Sequence, residues 1–465
     1  METTEEFGIK LTEIADLAFY YGIESLPDAQ KSRPGKEWSK DEMDFFMEKC
    51  HDGFKLAQNR LVEEVMSYQL LYRQNKEHIK QSRSGVDKTK TKELQNKEKV
   101  IIRRLHNLSH IADGMVVQML GQQVDVARRL NIGEKGSKHL ENSNIEHVIK
   151  VVNELNKKPG TFALISDLTS YIQIGDIFVI DREKGYYISE LKEGEVNAKL
   201  RKFIDTSLEN GPPVCEGFQP DFTDHEMDQI KRMLKQDLRA LQAVEIVNTD
   251  EGIDPKTGGR MTVRTPVVDM EFYDGIFIPM LEELKTKNWS YTVLDRCLHI
   301  GMYHGEVGLL MAAGTIPGIL ERAAENYIVV DLMAITESLS ETLFAKPLPK
   351  DFVIKLMTGQ AKIIIGIDMD KLIQVFNDNG VKTRWLSKRE TGKVNSNGKK
   401  LEIVVINGRA IGIELGHGKE GIVSGGIISK IVFDNVLPSS LAQAMSTAQG
   451  PTMKFGDEHD GNQQI

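Results

Sequence analysis

Residues 174–192 of the chain read IGDIFVIDREKGYYISELK, the stretch that says most about how its central part folds. Two short apolar runs, rich in β-branched and aromatic residues, flank a segment that begins at Asp181 and ends at Gly185. Such runs are typical of strands, and a five-residue segment with these ends is typical of a hairpin connection. The sequence therefore predicts an antiparallel β-hairpin.

A hairpin centred on Glu183 determines which residues lie opposite each other on one face of the sheet. The expected pairs are Ile180 with Tyr186, Phe178 with Ile188 and Asp176 with Glu190. Cβ atoms of directly opposed residues are about 5 Å apart, and the period of two places Lys192 on the same face. One end of an apolar face would then carry two carboxylates and an amine, whereas a register slip of one residue would separate them.

Two carboxylates held opposite each other on an apolar face repel, and burial penalises both. A divalent cation removes this cost, so the pattern predicts that Asp176 and Glu190 bind Mg²⁺ or Mn²⁺. The carbonyl oxygen of Leu191 is a candidate third metal ligand, and Lys192 is a candidate for orienting a metal-bound water. The alternative is a solvated sheet edge on which Lys192 forms an ordinary cross-strand ion pair.

Gly175-Asp176, followed by Glu190-Leu191-Lys192, resembles the signature of the PD-(D/E)xK nuclease superfamily, an acid on one strand and Glu-x-Lys on the next. The resemblance implies a restriction-endonuclease-like core of a helix, three strands, a second helix and a fourth strand. It also implies Mg²⁺-dependent hydrolysis of phosphodiester bonds, with Asp176, Glu190 and Lys192 as catalytic residues. Gly175 stands where many members of the superfamily carry a proline.

Members of this superfamily often place a further acid on the helix before the strands. Asp113 and Glu141 are the candidates here, although either is also compatible with a surface position. Asp167 is compatible with a reach into the site, and its position after a strand pattern favours a turn residue.

A helical pattern from Asp224 to Ile246 follows the signature and carries the candidate nucleic-acid-binding residues. Arg232, Gln236 and Arg239 are spaced by four and three positions, which places them on one helix face. In the fold that the resemblance implies, this helix lies beside the active site. The alternative is a solvated helix side on which the basic residues pair with Asp228 and Asp237.

The composition limits how the chain can contact nucleic acid. It has 465 residues, with 59 Lys and Arg against 68 Asp and Glu and a net charge of −9, so a uniformly basic binder is excluded. Three scattered cysteines argue against a disulfide framework and indicate a reducing compartment. No signal sequence and no run of about 20 apolar residues is present, so a cytoplasmic protein without membrane contact is expected.

The overall class is expected to be mixed α/β, with a long helical N-terminal region and a C-terminal α+β domain. The expected divisions are a helical region over 1–93, a nuclease domain over 94–326, an α+β domain over 327–445 and a disordered tail over 446–465.

Helical patterns over 40–73 and 94–130 predict an αα-hairpin in the N-terminal part. Between Lys76 and Arg104, ten basic residues occur with four acidic ones, which fits either a solvated tip or an arm that contacts phosphates.

Three further patterns are interpreted as structural. Residues 416–421 match Gly-x-Gly-x-x-Gly, but no helical pattern follows, which favours a β-hairpin loop. Cys297, His299 and His304 could form a metal site, but the helical spacing of Leu294, Leu298 and Met302 favours a helix over 294–302 with incidental histidines. Asp368 ends a strand pattern and is expected to cap the next helix.

These inferences lead to an Mg²⁺-dependent endonuclease that acts on nucleic acid, DNA rather than RNA, and the resemblance suggests a setting in restriction or antiviral defence. The first alternative is a non-catalytic nucleic-acid-binding or assembly protein with a nuclease-like fold. The second is a hydrolase for another substrate whose C-terminal strands sense a small ligand. A second copy of the chain, or a partner protein, is expected to bind the helical or C-terminal region.

Overall fold

A computed structural model describes residues 1–31, 38–84, 88–121, 130, 145–191, 200, 222–249, 251–253, 260–262, 270–333, 342–396, 403–414, 420–423 and 425–448. The chain forms two compact units, one of residues 1–264 with 342–345 and the other of residues 265–341 with 346–465. Both combine helices with small antiparallel sheets, which confirms the mixed α/β class.

The first unit opens with short helices and continues with two long ones. They are α1 (Thr4–Ala15), a π-helical turn (Asp16–Tyr20), α2 (Tyr21–Glu24), α3 (Asp28–Lys31), α4 (Lys40–Ser84) and α5 (Lys88–Met119). Helices α4 and α5 pack against each other, which confirms the predicted αα-hairpin. Both reach further towards the tip than predicted, because Lys, Glu and Gln favour helix even without an apolar stripe.

Polar side chains join the two helices of this hairpin near its tip. The contacts are Asn75 Nδ2 to the carbonyl of Leu94 at 2.9 Å, Lys76 Nζ to Glu98 Oε1 at 2.6 Å, and Ser82 Oγ to Thr91 Oγ1 at 2.7 Å. Each pair satisfies polar groups at the helix interface, so the helices stay in contact beyond the apolar part of the hairpin.

His110 lies fully buried on α5, and in the described part of the chain neither of its ring nitrogens has a hydrogen-bond partner. Burial, with a smaller contribution from His106, lowers the pKa of His110 to about 4 from an ordinary value of 6.5. The folded chain therefore holds this imidazole neutral, whereas the unfolded chain protonates it below pH 6.5.

Acidification should consequently destabilise the first unit through His110. Because the folded pKa is the lower one, stability is complete above pH 6.5 and is lost as the pH falls towards 4, by about 2 kcal/mol at pH 5. We expect His110→Leu to reduce the difference between the unfolding free energies at pH 7.5 and pH 5 by about that amount. His78→Leu, at an exposed position on α4, is the control. An unchanged pH dependence in His110→Leu would contradict this account.

The sheet of the first unit follows the hairpin. Its elements are α6 (Ile145–Leu155), β1 (Thr161–Ile165), β2 (Ile177–Asp181), β3 (Gly185–Ser189), α7 (Asp224–Thr249), β4 (Glu251–Ile253) and β5 (Arg260–Thr262). Strands β1, β2 and β3 form an antiparallel sheet in that order, whereas β4 pairs with β5 in a separate sheet. Among the described residues, these elements include a helix before three strands and a helix and a strand after them, but the last strand lies in a separate sheet, and the restriction-endonuclease-like core stays a prediction.

Side-chain amides close the outer edge of β1. Gln58 on α4 donates to the carbonyl of Ala163 at 3.1 Å and accepts from the amide of Ile165 at 2.8 Å. Asn156 accepts from the amide of Ala163 at 2.8 Å. These contacts replace a neighbouring strand, so the sheet presents fewer unpaired backbone groups at this edge.

The second unit contains two small sheets and their helices. Its elements are α8 (Phe277–Leu284), β6 (Trp289–Leu294), β7 (Leu298–His304), α9 (Gly305–Ala312), α10 (Thr315–Ala323), β8 (Tyr327–Asp331), α11 (Lys350–Thr358), β9 (Ala361–Asp368), α12 (Met369–Asp378), β10 (Thr383–Trp385), α13 (Lys388–Ser396), β11 (Val405–Ile406), β12 (Arg409–Glu414), β13 (Glu420–Ile422), α14 (Gly425–Val432) and α15 (Pro438–Ala448). One sheet has the order β6-β7-β9-β8, and the other has the order β10-β12-β11 with β13 beside β12.

The helix predicted over 294–302 is wrong, because these residues form the β6–β7 hairpin. Its turn residues Asp295 and Arg296 have φ values of 46° and 63° without any glycine, so the usual sequence signal of a turn is missing. The predicted domain boundary after residue 326 falls inside a sheet, because β7 is hydrogen-bonded to β9.

Two other predictions are confirmed in this unit. Asp368 caps α12, where its carboxylate accepts from the amide of Lys371 at 3.1 Å. Strands β12 and β13 pair in antiparallel fashion on either side of residues 415–419, which lie outside the described residues, as the predicted hairpin loop requires. The disordered tail predicted from residue 446 is wrong for residues 446–448, which lie in α15, and the rest of it lies outside the described residues. Among the helices of the described ranges, none combines the length and the apolar character that crossing a bilayer requires.

Candidate metal and nucleic-acid site

The β2–β3 hairpin has the predicted register. Ile180 lies opposite Tyr186 and Phe178 lies opposite Ile188, and the last ladder pair is Ile177 with Ser189. The rings of Phe178 and Tyr186 stack with centroids 6.0 Å apart, so the cross-strand contact is apolar as expected.

The turn of this hairpin is stabilised by the aspartate at its start. Asp181 Oδ1 accepts hydrogen bonds from the amides of Glu183 at 2.9 Å and Lys184 at 3.1 Å. The bond from Glu183 is the main cause that holds the pKa of Asp181 below its ordinary value. Aspartate at this position thus favours the turn that sets the strand register.

Asp176 continues the hairpin directly beyond the last ladder pair. Its amide donates to the carbonyl of Ser189 at 2.9 Å, and its Oδ2 accepts from the amide of Leu191 at 2.5 Å. The Asp176 carboxylate therefore lies against the peptide between Glu190 and Leu191. Asp176, Glu190 and Leu191 are all half-buried, and Lys192 lies outside the described residues.

Gly175 explains why this chain does not carry proline before the acid. Its φ is 70°, whereas the ring of proline restricts φ to about −65°. A Cβ atom at this position would also overlap Cγ2 of Ile188 and would lie 3.1 Å from the carbonyl oxygen of Ser189. The left-handed turn at Gly175 brings Asp176 into line with β3.

Gly175→Ala should therefore destabilise the first unit by more than the cost of placing an alanine in the left-handed backbone conformation. The left-handed φ costs about 1–2 kcal/mol, and the overlap with Ile188 adds about 1–3 kcal/mol. Gly121→Ala is a matched control, because Gly121 has a φ of 62° but no atom of the described residues lies within 4 Å of its Cβ position. Equal shifts of the urea midpoint for the two variants would contradict the packing contribution.

Asp113 occupies a buried position on α5 and contacts the segment between β1 and β2. Its Oδ1 accepts from the amides of Ser170 at 2.7 Å and Tyr171 at 3.3 Å, and its Oδ2 accepts from the hydroxyl of Ser170 at 2.7 Å. The sequence did not indicate these partners, because they lie 57 and 58 residues away. Asp167 lies in a 3-10 turn, as predicted, and Glu141 is outside the described residues.

Helix α7 packs against β3 through its C-terminal half. Ala243 and Ile246 are buried, and Asn248 Nδ2 donates to the carbonyl of Tyr186 at 3.3 Å. Ala243 and Ile246 lie on one face of α7. In steps of four and three residues towards the N-terminus, the same face continues with Arg239, Gln236 and Arg232.

The basic end of this row is accessible to solvent. Arg232 and Gln236 are exposed, and Arg239 is half-buried. Arg232 donates to Gln229 Oε1 at 3.3 Å, while Asp228 pairs with Lys231 at 3.2 Å. The alternative of a solvated helix side expected Asp228 to pair with the basic residues of this face. Asp228 instead pairs with Lys231, which is not one of the three predicted residues.

The two histidines of β7 make hydrogen bonds within the second unit. His299 Nδ1 contacts the hydroxyl of Tyr291 at 2.7 Å, and His304 Nε2 contacts the carbonyls of Leu284 at 2.9 Å and Lys287 at 3.0 Å. Across the described residues, no three His, Cys, Asp or Glu side chains are grouped so that they could hold a metal ion. The predicted site differs in kind, because it combines two carboxylates with a main-chain carbonyl.

Comparisons with protein-family models, with curated proteins and with solved structures find nothing that matches this chain. Support for a function therefore comes from the chain's own residues: the register of the β2–β3 hairpin, the position of the Asp176 carboxylate and the face of α7.

Proposed function

We propose that the chain is a metal-dependent endonuclease that hydrolyses phosphodiester bonds, with DNA as the preferred substrate. The observation that carries this proposal is the Asp176 carboxylate, which lies on the peptide between Glu190 and Leu191 at the end of a correctly registered hairpin. A cation bound beside this carboxylate and the one on the neighbouring strand would lower the electrostatic repulsion between them.

The ligand atoms suit Mg²⁺ or Mn²⁺ rather than a softer metal. Asp176 and Glu190 supply carboxylate oxygens, and Leu191 supplies a carbonyl oxygen, which are hard ligands. A bound ion would lower the pKa of a coordinated water and polarise the scissile phosphate. Lys192 would orient that water and offset the charge on the phosphate, the role that the resemblance implies.

Helix α7 supplies a surface that could bind the nucleic-acid backbone beside this site. At about 1.5 Å per residue, Arg239 lies about 13 Å from Asn248 along α7. At about 3.3 Å per residue, Glu190 lies about 13 Å from Tyr186 along β3. Because Asn248 contacts Tyr186, an α7 that runs antiparallel to β3 would bring Arg239 level with Glu190. Arg232 and Gln236 would then contact phosphates further along the substrate.

A cleavage assay on purified protein tests the proposal. Linear duplex DNA, single-stranded DNA and RNA are incubated with Mg²⁺, with Mn²⁺ and with excess chelator. We expect cleavage of DNA that requires either metal and stops with chelator. Retention of nucleic acid without cleavage in either metal would instead favour the non-catalytic binding or assembly protein. We place the activity in the cytoplasm and in restriction or antiviral defence, the setting that the resemblance implies.

A further inference from the structure

Asp113 is a buried acid that contacts the segment that carries Asp176. It is 1% exposed, and its carboxylate accepts three hydrogen bonds from Ser170 and Tyr171. Two backbone amides and one hydroxyl donate to this one buried carboxylate, so the contact anchors the segment to α5.

The anchored segment is closed at both ends. Thr169 Oγ1 donates to the carbonyl of Ser166 at 2.9 Å and accepts from the amide of Ile172 at 3.0 Å. The amide of Ser166 donates to the carbonyl of Asp176 at 3.0 Å. Tyr171 is fully buried as well, so the chain from Ser166 to Asp176 forms one hydrogen-bonded and packed loop.

The same loop ends at the Asp176 carboxylate. Because Asp176 is held by Ser166 on one side and by Ser189 and Leu191 on the other, a shift of the loop would move its side chain. Asp113 itself is buried, and its hydrogen bonds to Ser170 and Tyr171 connect it to the candidate site through the loop.

We propose that Asp113 is a positioning residue for the candidate metal site: it holds the Ser166–Asp176 loop and thereby the Asp176 carboxylate in the geometry that binds the cation. This inference rests on the proposed function. It assigns to Asp113 a part in orienting a metal ligand and no part as a ligand or as a proton carrier.

The asparagine variant separates positioning from direct chemistry. In Asp113→Asn, the amide oxygen can still accept from the amides of Ser170 and Tyr171, and the amide nitrogen can donate to the Ser170 hydroxyl. In Asp113→Ala all three bonds are lost. A metal ligand or a general base would be lost in both variants, whereas a positioning residue is rescued by asparagine.

The experiment measures Mn²⁺ binding by titration calorimetry, amide hydrogen exchange over residues 166–177, and cleavage against Mg²⁺ concentration. We expect Asp113→Ala to weaken Mn²⁺ binding by about 10–100-fold, the usual effect of losing a group that orients a ligand. Exchange over the loop should accelerate, and cleavage should recover at saturating Mg²⁺. Asp113→Asn should stay close to wild type in all three measurements, as should Glu93→Ala, an exposed acid on the same helix.

Ser170→Ala removes the hydroxyl bond to Asp113 and is the second variant, used if Asp113→Ala does not fold. It should weaken Mn²⁺ binding in the same direction by a smaller factor. Equal loss in Asp113→Asn and Asp113→Ala would overturn the positioning role. Mn²⁺ affinity that is unchanged in Asp113→Ala and in Ser170→Ala would overturn this inference alone. A wild-type protein that binds no Mn²⁺ and cleaves nothing would overturn the proposed function with it.

Discussion

Asp176→Asn and Glu190→Gln should each slow Mg²⁺-dependent cleavage by about 10²–10⁴-fold, because a lost metal ligand removes several kcal/mol of transition-state stabilisation. Both substitutions keep the size of the side chain. In Asp176→Asn the amide oxygen could still accept the hydrogen bond from Leu191, so the change removes charge and largely preserves geometry. The measurement is the single-turnover cleavage rate at saturating Mg²⁺.

Glu183→Gln is the matched control, since Glu183 is an exposed acid in the turn of the same hairpin. It should cleave at the wild-type rate. Cleavage by both site variants at the wild-type rate would exclude this pair as the metal ligands.

Arg104→Met should destabilise the first unit by about 3 kcal/mol, since removing Arg104 from its ion pair with the Glu2 carboxylate, 3.7 Å away, leaves the other groups uncompensated. Arg104 is 5% exposed on α5, and its guanidinium donates to the hydroxyl of Tyr68 and the carbonyl of Glu2, each at 3.0 Å. It also donates to the carbonyl of Thr3 at 3.1 Å and lies 4.8 Å from the ring centroid of Phe7. One side chain therefore attaches the start of α1 to both long helices.

Amide hydrogen exchange locates this loss. Peptides from α1 and from the adjoining parts of α4 and α5 should exchange about 100-fold faster in Arg104→Met, since each 1.4 kcal/mol is a factor of ten. Peptides from the second unit serve as an internal control. Arg103→Met, at the exposed neighbouring position, should change stability by less than about 0.5 kcal/mol. Equal exchange in the two variants would show that the Arg104 contacts contribute little.

The parts of the fold that the sequence predicted correctly depend on local rules. The β2–β3 register follows from alternation around a turn that begins with Asp181, and the α4–α5 hairpin follows from apolar residues at helical spacing. The cap of α12 by Asp368 follows from an acid placed between a strand pattern and a helix pattern. In each case the residues that determine the structure are close together in the chain.

The predictions that failed depended on signals that short sequence windows do not carry. Leu298 and Met302 suit a helical spacing of four and equally the alternation of a strand, so their pairing with β9 decided between the two. The boundary after residue 326 failed for the same reason, since β9 joins β7 from more than 50 residues away.

For the candidate site, the sequence by itself determined the register of β2 and β3 up to Ile177 and Ser189, because strand alternation depends only on neighbouring residues, and the facing of Asp176 and Glu190 stays a prediction. Tertiary structure alone decided how Asp176 is held. The contact with Leu191 and the loop anchored by Asp113 bring together groups that are remote in the chain. The turn at Gly175 depends on its left-handed φ. The same holds for Arg104, whose partners Glu2 and Tyr68 meet only after α1, α4 and α5 have packed.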